Sequence, residues 1–306
     1  MKRFTIALII LVCAAAFAAA AEVGTTTATF LKIGVGARAV GMGEAAAALA
    51  EGPDALYWNP AGLAAYDQPA VAFTHNEWLD DLRYENIGLS SPLLNIGSFG
   101  LSAGYLGMGK LEGRNEQGDP TGEFSASDLL AQLGYARALG KWIAVGLAGE
   151  YISSKIENVK ATALAGSAGI KATTPLPGLS AGAAVSNVGG EMKFEEEGDP
   201  LPMALRGGLA YRLPFGGENN KVTVAVDGLK YKDSDVYVNS GVEYWFRNMI
   251  AGRVGYKALY DSDGLTGGLG FKYAATQRLT LGADYAYADM GEDFGATHRI
   301  SVGMLF

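Results

Sequence analysis

The chain ends on the sequence HRISVGMLF, residues 298–306, and this stretch decides the fold class. Its alternate positions His298, Ile300, Val302, Met304 and Phe306 form one set, which is mostly apolar, while the residues between them are small or polar. Successive side chains of a β-strand point to opposite sides. The pattern therefore predicts a strand with one apolar face and one polar face.

The same period of two residues recurs through most of the chain, in segments of about ten residues separated by turn residues. Tyr and Trp gather near the ends of these segments, as expected of an aromatic girdle at a bilayer interface. The pattern predicts about fourteen strands, over 68–76, 84–92, 96–108, 126–138, 141–153, 159–173, 178–187, 202–213, 221–231, 236–246, 249–260, 264–274, 278–287 and 297–306.

Charged residues fall in the small and polar set of these predicted strands: Arg206, Asp227, Glu243, Arg253, Lys257, Lys272 and Asp284. A soluble β-sandwich would show the same alternation, with its charged face outside, so the connections have to decide between the two folds. Longer polar connections tend to alternate with tight ones, which is typical of an outer-membrane barrel with both chain ends on the periplasmic side. We expect an all-β transmembrane antiparallel barrel in which these charges point into the lumen.

The first 21 residues have the three-part layout of a secretory signal peptide. Met1-Lys2-Arg3 is followed by an apolar stretch and then by alanines with cleavage-site spacing. This layout predicts Sec-type export and a mature chain that begins near Ala21 or Glu22. A lipoprotein reading of Cys13 is the alternative, although Val12 before it fits poorly. Cleavage removes the only cysteine, so the mature chain has no disulfide or thiol nucleophile.

Composition and motifs exclude several function classes. A net charge of −8 with no basic cluster argues against a nucleic-acid partner. The segment 34–39 fits the dinucleotide fingerprint G-x-G-x-x-A, but no βαβ unit surrounds it. Two histidines are too few for a His-rich metal site, and there is no convincing Ser/His/Asp set. We therefore predict neither an enzyme nor a bound cofactor or metal.

The predicted hairpins place three lumen charges close together. A tight turn at residues 247–248 puts Glu243 opposite Arg253, and a turn at Asp263-Gly264 puts Arg253 near Lys272. Such a group is either a structural ion-pair ladder or a ring that selects substrates.

Residues 34–64 are the exception to the strand pattern, because they are rich in small residues and lack alternation. ARAVGMG at 37–43 and DALYWNPAGL at 54–63 resemble the PorV/PorQ family within the wider FadL-like group of outer-membrane barrels. The resemblance implies that residues 22–66 form a short helical plug inside a barrel of residues 67–306. It implies that the family motif anchors this plug, through Arg38, Gly41, Met42, Gly43, Tyr57, Trp58, Asn59, Pro60 and Gly62.

The resemblance also implies a function in the bacterial outer membrane. PorV-like proteins would serve type IX secretion, so secretion-machinery proteins or secreted cargo are expected partners, besides outer-membrane lipid. The alternative is a FadL-like channel for uptake of small hydrophobic molecules. The terminal pattern Ile300, Val302, Met304 and Phe306 resembles the signal by which the barrel-assembly machinery recognises its substrates.

Overall fold

The structure is a computed structural model that describes residues 24–79, 82–93, 96–194, 196–214, 217, 219–262 and 264–306. The predicted signal peptide, residues 1–21, lies outside the described residues. No helix within the described ranges is both long and apolar enough to cross a membrane.

Fourteen antiparallel strands form one closed barrel, in which each strand pairs with the next barrel strand along the chain and the last pairs with the first. The barrel strands are β1 (Ala70–Glu77), β2 (Arg83–Leu93), β3 (Gly97–Gly107), β6 (Ala126–Leu139), β7 (Ile143–Ile156), β8 (Val159–Thr173), β9 (Leu179–Gly189), β12 (Ala204–Arg212), β13 (Lys221–Tyr231), β14 (Val236–Phe246), β15 (Ile250–Ala258), β16 (Leu265–Ala274), β17 (Thr280–Asp289) and β18 (Ala296–Leu305). This confirms the predicted fold and strand number.

Two connections predicted as polar loops contain short antiparallel ribbons. One ribbon joins β4 (Leu111–Arg114) to β5 (Pro120–Phe124), and the other joins β10 (Glu191–Lys193) to β11 (Gly198–Pro200). A ribbon lets a long connection pair its own backbone groups, which a coil would leave to water. The alternation of long and short connections is also less strict than expected. Residues 157–158 form a tight turn between β7 and β8 at the end of the barrel where the longer connections lie.

The two faces of the wall follow the predicted alternation. Outward side chains in the middle of the strands are apolar and exposed, for example Leu133, Leu147 and Val254. Inward positions are mostly buried and carry many small, polar or charged side chains, together with larger apolar ones such as Leu130, Ile152 and Leu229. The wall therefore presents an apolar surface to lipid and keeps the charges of its strand centres in the lumen, where they avoid the cost of a lipid-facing charge.

Phe306 lies at the seam where the barrel closes. Its N–H donates to the carbonyl of Pro69 at 3.0 Å, just before β1 begins. Ile300, Val302, Met304 and Phe306 all point outward with exposed side chains. The faces of this strand are as predicted, while its recognition by an assembly machinery stays a prediction.

Residues 24–66, here called the inner segment, occupy the lumen. They form short helical turns at Thr29–Lys32, Ala37–Gly41, Gly52–Asp54, Ala55–Trp58 and Pro60–Ala65. Leu56, Trp58 and Leu63 are almost fully buried and pack against the wall residues Ala136 and Ala148. The lumen of this barrel is thus largely filled by its own chain.

A charged side chain in the middle of the outer face should destabilise the barrel in a bilayer, because that face contacts lipid. Leu133 is in the middle of β6 and is 63% exposed, so Leu133→Lys should lower the free energy of unfolding by about 2 to 4 kcal/mol. The measurement is denaturant unfolding in phospholipid liposomes. Leu139→Lys, at the end of the same strand, is the matched control and should cost at most about 1 kcal/mol. Equal losses at both positions would contradict this depth of insertion.

Candidate functional site: the lumen and its inner segment

A chain of four charged side chains ties the inner segment to the wall. Arg38 donates from Nε and Nη2 to the two carboxylate oxygens of Glu243, both at 2.9 Å. Glu243 also accepts from Arg253 Nε at 2.8 Å, and Arg253 Nη1 donates to Asp284 at 2.7 Å. Glu243 is only 1% exposed. Fork-like arginine–carboxylate contacts of this kind are strong and fix geometry, so they hold Arg38 in place.

The predicted pairing of Glu243 with Arg253 across β14 and β15 is found in the structure. The predicted register of Arg253 with Lys272 is wrong, because Arg253 lies opposite Gly268, but its guanidinium lies 5.5 Å from the centre of the same Trp245 ring that Lys272 approaches. The β15–β16 hairpin turns about residues 260–261 instead of residues 263–264, which shifts the register of β16 against β15. Asp263 itself lies outside the described residues. Lys272 instead lies near the end of β16, with its ammonium 4.7 Å from the ring centre of Trp245.

Glu51 forms a second connection between the inner segment and the wall. Its carboxylate lies 3.6 Å from the Arg38 guanidinium and 3.7 Å from the Lys171 ammonium, which also donates to the Ala50 carbonyl at 3.0 Å. Burial disfavours ionisation of Glu51, but Lys171, Arg38 and Lys272 together outweigh it and lower its pKa. Glu243 raises the pKa of Arg38. Both groups of the inner segment therefore stay charged at neutral pH.

The motif Gly41-Met42-Gly43 packs its backbone directly on glycines of the wall. Gly43 has a positive φ of 65° and donates its N–H to Thr266 Oγ1 at 3.0 Å. A side chain at wall position Gly255 would overlap the backbone of Gly43, and one at Gly241 would overlap that of Met42. Glycine on both sides is what allows two backbones to approach this closely.

Asn59 is fully buried and connects three parts of the molecule. Its side-chain amide donates to the carbonyls of Ala47 at 2.8 Å and of Ile170 in the wall at 3.0 Å. Its oxygen accepts from the N–H of Ala61 at 3.2 Å, which caps the helical turn that begins at Pro60. Replacing Asn59 with an apolar residue would leave buried carbonyls without donors.

The aromatic pair before Asn59 is held by polar contacts as well as by packing. Trp58 Nε1 donates to the Val35 carbonyl at 2.8 Å, and Tyr57 Oη donates to the Leu31 carbonyl at 3.1 Å. The guanidinium of the wall residue Arg206 lies 4.5 Å from the Trp58 ring centre. Gly62 completes the turn, because any side chain there would overlap the Ala50 carbonyl.

Further contacts that hold the inner segment to the barrel were not predicted from the sequence. Asp227 accepts the N–H of Ala47 at 2.7 Å, Ser301 accepts the N–H of Ala37 at 2.8 Å, and Lys32 pairs with Asp233 at 2.7 Å. The inward direction of Asp227 was predictable, but its partner was not. Glycines at inward strand positions were the sequence signal for this close contact, because a wall position without a side chain lets the backbone of the inner segment approach.

Two cavities lie on opposite sides of the inner segment. The one beside the long connections has a volume of about 500 Å³ and is lined by Phe30, Trp78, Leu106, Tyr231, Tyr237 and Tyr260 among others. The one beside the short turns has a volume of about 620 Å³ and combines alanines with several cationic side chains. Within the described ranges, no group of three or more His, Cys, Asp or Glu side chains is arranged to hold a metal.

Asp54 should make the seating of the inner segment depend on pH. Burial raises its pKa from 3.8 to about 6, with a further contribution from Asp284 that Arg38 partly offsets. The folded state therefore favours protonated Asp54, and stability is lost as pH rises from about 4 through 6. The free energy that holds the inner segment in its folded position falls by up to about 3 kcal/mol over this pH range. The rate of protease cleavage within the inner segment, measured between pH 4 and 7, reports this loss.

Asp54→Asn is the matched variant, since it keeps the shape of the side chain and removes the charge. We expect this variant to lack the pH-dependent step and to resist the protease at pH 7 at least as well as the parent protein. A step of the same size in the Asn variant would assign the pH dependence to another group.

The family model for the type IX secretion system protein PorV matches residues 17–175. A comparison with curated proteins found no match. Among solved structures, the Pseudomonas putida toluene transporter TodX aligns with a TM-score of 0.62 at 12% identity, over 89% of this chain and 96% of that one. A Pseudomonas aeruginosa FadL homologue aligns with a TM-score of 0.57 at 12% identity, over 94% of this chain and 99% of that one.

At such low identity the structural matches establish a shared barrel fold, and the sequence match establishes descent. The matched region includes the whole inner segment, with both motifs that carried the resemblance, and continues into β8. It covers more than half of the chain. This protein of the bacterial outer membrane therefore belongs to the PorV family.

Proposed function

We propose that the protein is a non-enzymatic component of protein secretion or surface attachment of the type IX kind. The observation that carries this proposal is the PorV family match over residues 17–175. Its partners would be proteins of the secretion machinery or secreted cargo. Barrel-assembly machinery would recognise its terminal strand.

The geometry of the lumen supports a docking function over free passage of a protein. The inner segment is fixed to the wall by Arg38, Asn59 and the backbone contacts of Gly43. We infer that residues 22–66 act as a plug and that residues 67–306 form the barrel around it. A folded cargo could not cross such a filled lumen, so contact with partners would fall on the rims. The β4–β5 and β10–β11 ribbons supply ordered surface at one rim.

The second candidate is a channel for small hydrophobic molecules. The cavity beside the long connections favours it, because aromatic and aliphatic side chains make up most of its lining, beside five charged ones, Lys32, Glu44, Asp128, Lys257 and Arg299. Cavities of this size that combine apolar walls with some polar groups commonly bind small ligands. The structural neighbours include proteins described as toluene transporters from Pseudomonas putida and Ralstonia pickettii. For this function, the inner segment would have to move, or a small molecule would have to pass beside it.

Loss of the plug anchors should open the lumen. Arg38→Ala combined with Asn59→Ala removes the contacts to Glu243 and to the Ile170 carbonyl. We expect the barrel to assemble, as judged by its heat-dependent mobility in gels, and to show larger ion conductance in planar bilayers than the parent protein. The matched control, Arg114→Ala, lies in an exposed ribbon and should leave conductance unchanged. Intact assembly with unchanged conductance would refute the plug.

Co-purification separates the two candidate functions. In the native host, a tagged copy solubilised in mild detergent should retain secretion-machinery or cargo proteins, while a deletion strain should lose surface-attached cargo. A pull-down without such proteins, together with uptake of a labelled hydrophobe that needs this chain, would reverse the ranking in favour of the channel.

A further inference from the structure

The cavity of about 620 Å³ beside the short turns has an unusual charge for this chain. Its lining includes two carboxylates, Glu51 and Glu243, and six cationic side chains: Arg38, Lys141, Lys171, Arg212, Lys221 and Lys272. The whole chain has a net charge of −8. The cationic side chains are therefore concentrated here against the overall balance. Short turns and both chain ends mark the periplasmic end of an outer-membrane barrel, so this cavity is called the periplasmic vestibule.

The two carboxylates of the vestibule are already engaged. Glu243 is shared between Arg38 and Arg253, and Glu51 lies between Arg38 and Lys171. Their negative charge is thus shared among Arg38, Arg253, Lys171 and, at longer range, Lys272. Two carboxylates against six cationic side chains leave the lining with an excess of positive charge.

Four cationic side chains of the lining are not held in a direct ion pair within the described residues. Lys141, Arg212, Lys221 and Lys272 have no ion pair with any carboxylate among the described residues. Lys272 instead places its ammonium over the Trp245 ring. Like charges that share a partly enclosed space repel one another, and a bound anion would relieve that repulsion.

The strand register brings three of these side chains to one side of the lumen. Arg212 lies opposite Thr223 on β13, and Lys221, two residues before Thr223, lies opposite Trp245 on β14. Thr223 and Trp245 are buried inward positions, so the side chains in register with them also face the lumen. Lys272 reaches the same Trp245 ring from β16. Because they face away from lipid, a soluble anion fits them better than a lipid headgroup.

We propose that the periplasmic vestibule binds a small multivalent anion, a phosphate ester or a polycarboxylate, between Lys272, Lys221 and Arg212. A volume of about 620 Å³ accommodates such a molecule. Lysine and arginine are the side chains that bind phosphate and carboxylate groups. This site can be tested apart from the secretion function proposed above, since its three ligand residues belong to the wall and neither to the inner segment nor to the two ribbons.

Calorimetric titration of the full-length barrel in zwitterionic detergent tests the site, with pyrophosphate and citrate as separate probes at low salt. We expect saturable binding of at least one probe that weakens as sodium chloride is added. Lys221→Gln combined with Lys272→Gln should weaken it by about tenfold or more. Binding of pyrophosphate alone would identify a phosphate ligand, and binding of citrate alone a carboxylate ligand.

The matched control is Lys155→Gln combined with Lys160→Gln, which removes two charges that lie opposite each other near the other end of the barrel. This variant should bind as the parent protein does. Arg212→Gln is a second test in case the lysine pair fails to fold, and it should also weaken binding. The proposal is overturned if neither probe binds at millimolar concentration, or if the control variant loses as much affinity as the vestibule variants.

Discussion

Backbone hydrogen bonding in lipid is the constraint on which the rest of this structure depends. A bilayer offers no water to N–H and C=O groups, so every strand needs a partner on both sides. The barrel meets this requirement by pairing β1 with β18 from Ala70 to Glu77. The closing contact continues to the last residue, since Phe306 donates to Pro69. Closure in turn creates a lumen whose inward side chains need partners of their own.

The inner segment supplies those partners. Glu243 and Asp227 are buried carboxylates, and Arg38 and the Ala47 N–H of the inner segment supply part of the compensation that they need, beside Arg253 and Arg206 of the wall. The approach of backbone to wall is possible because the wall carries glycine where the segment touches it, as at Gly182 under Ala47. The high glycine content therefore reflects contact between an inner chain and a wall, in addition to the demands of turns.

The filled lumen divides the barrel into two spaces of different chemistry. One is lined by aromatic and aliphatic side chains together with Lys32, Glu44, Asp128, Lys257 and Arg299 beside the long connections, and the other has an excess of cationic side chains beside the short turns. The inner segment thus separates two spaces whose linings differ.

The strand pattern was predictable from residues such as Ile300, Val302 and Met304, because the direction of a side chain in a strand depends only on its parity. The inward placement of Arg206 and Asp227 was equally predictable from the cost of a charge in lipid. Lys272 was assigned to the wrong neighbour, because a turn displaced by a few residues moves every pairing in the next strand. The two ribbons were missed for a related reason, since short polar segments carry little periodic information.

Residue chemistry and local periodicity are enough to predict the fold class, the number of strands, the face that meets lipid and the family motif of the inner segment. These properties depend on local geometry and on the chemistry of single residues. Which charges pair depends on the closed three-dimensional fold. Arg38 and Glu243 are 205 residues apart along the chain and meet only because the barrel closes around the inner segment. The two cavities have the same origin, because their linings combine residues from both ends of the sequence.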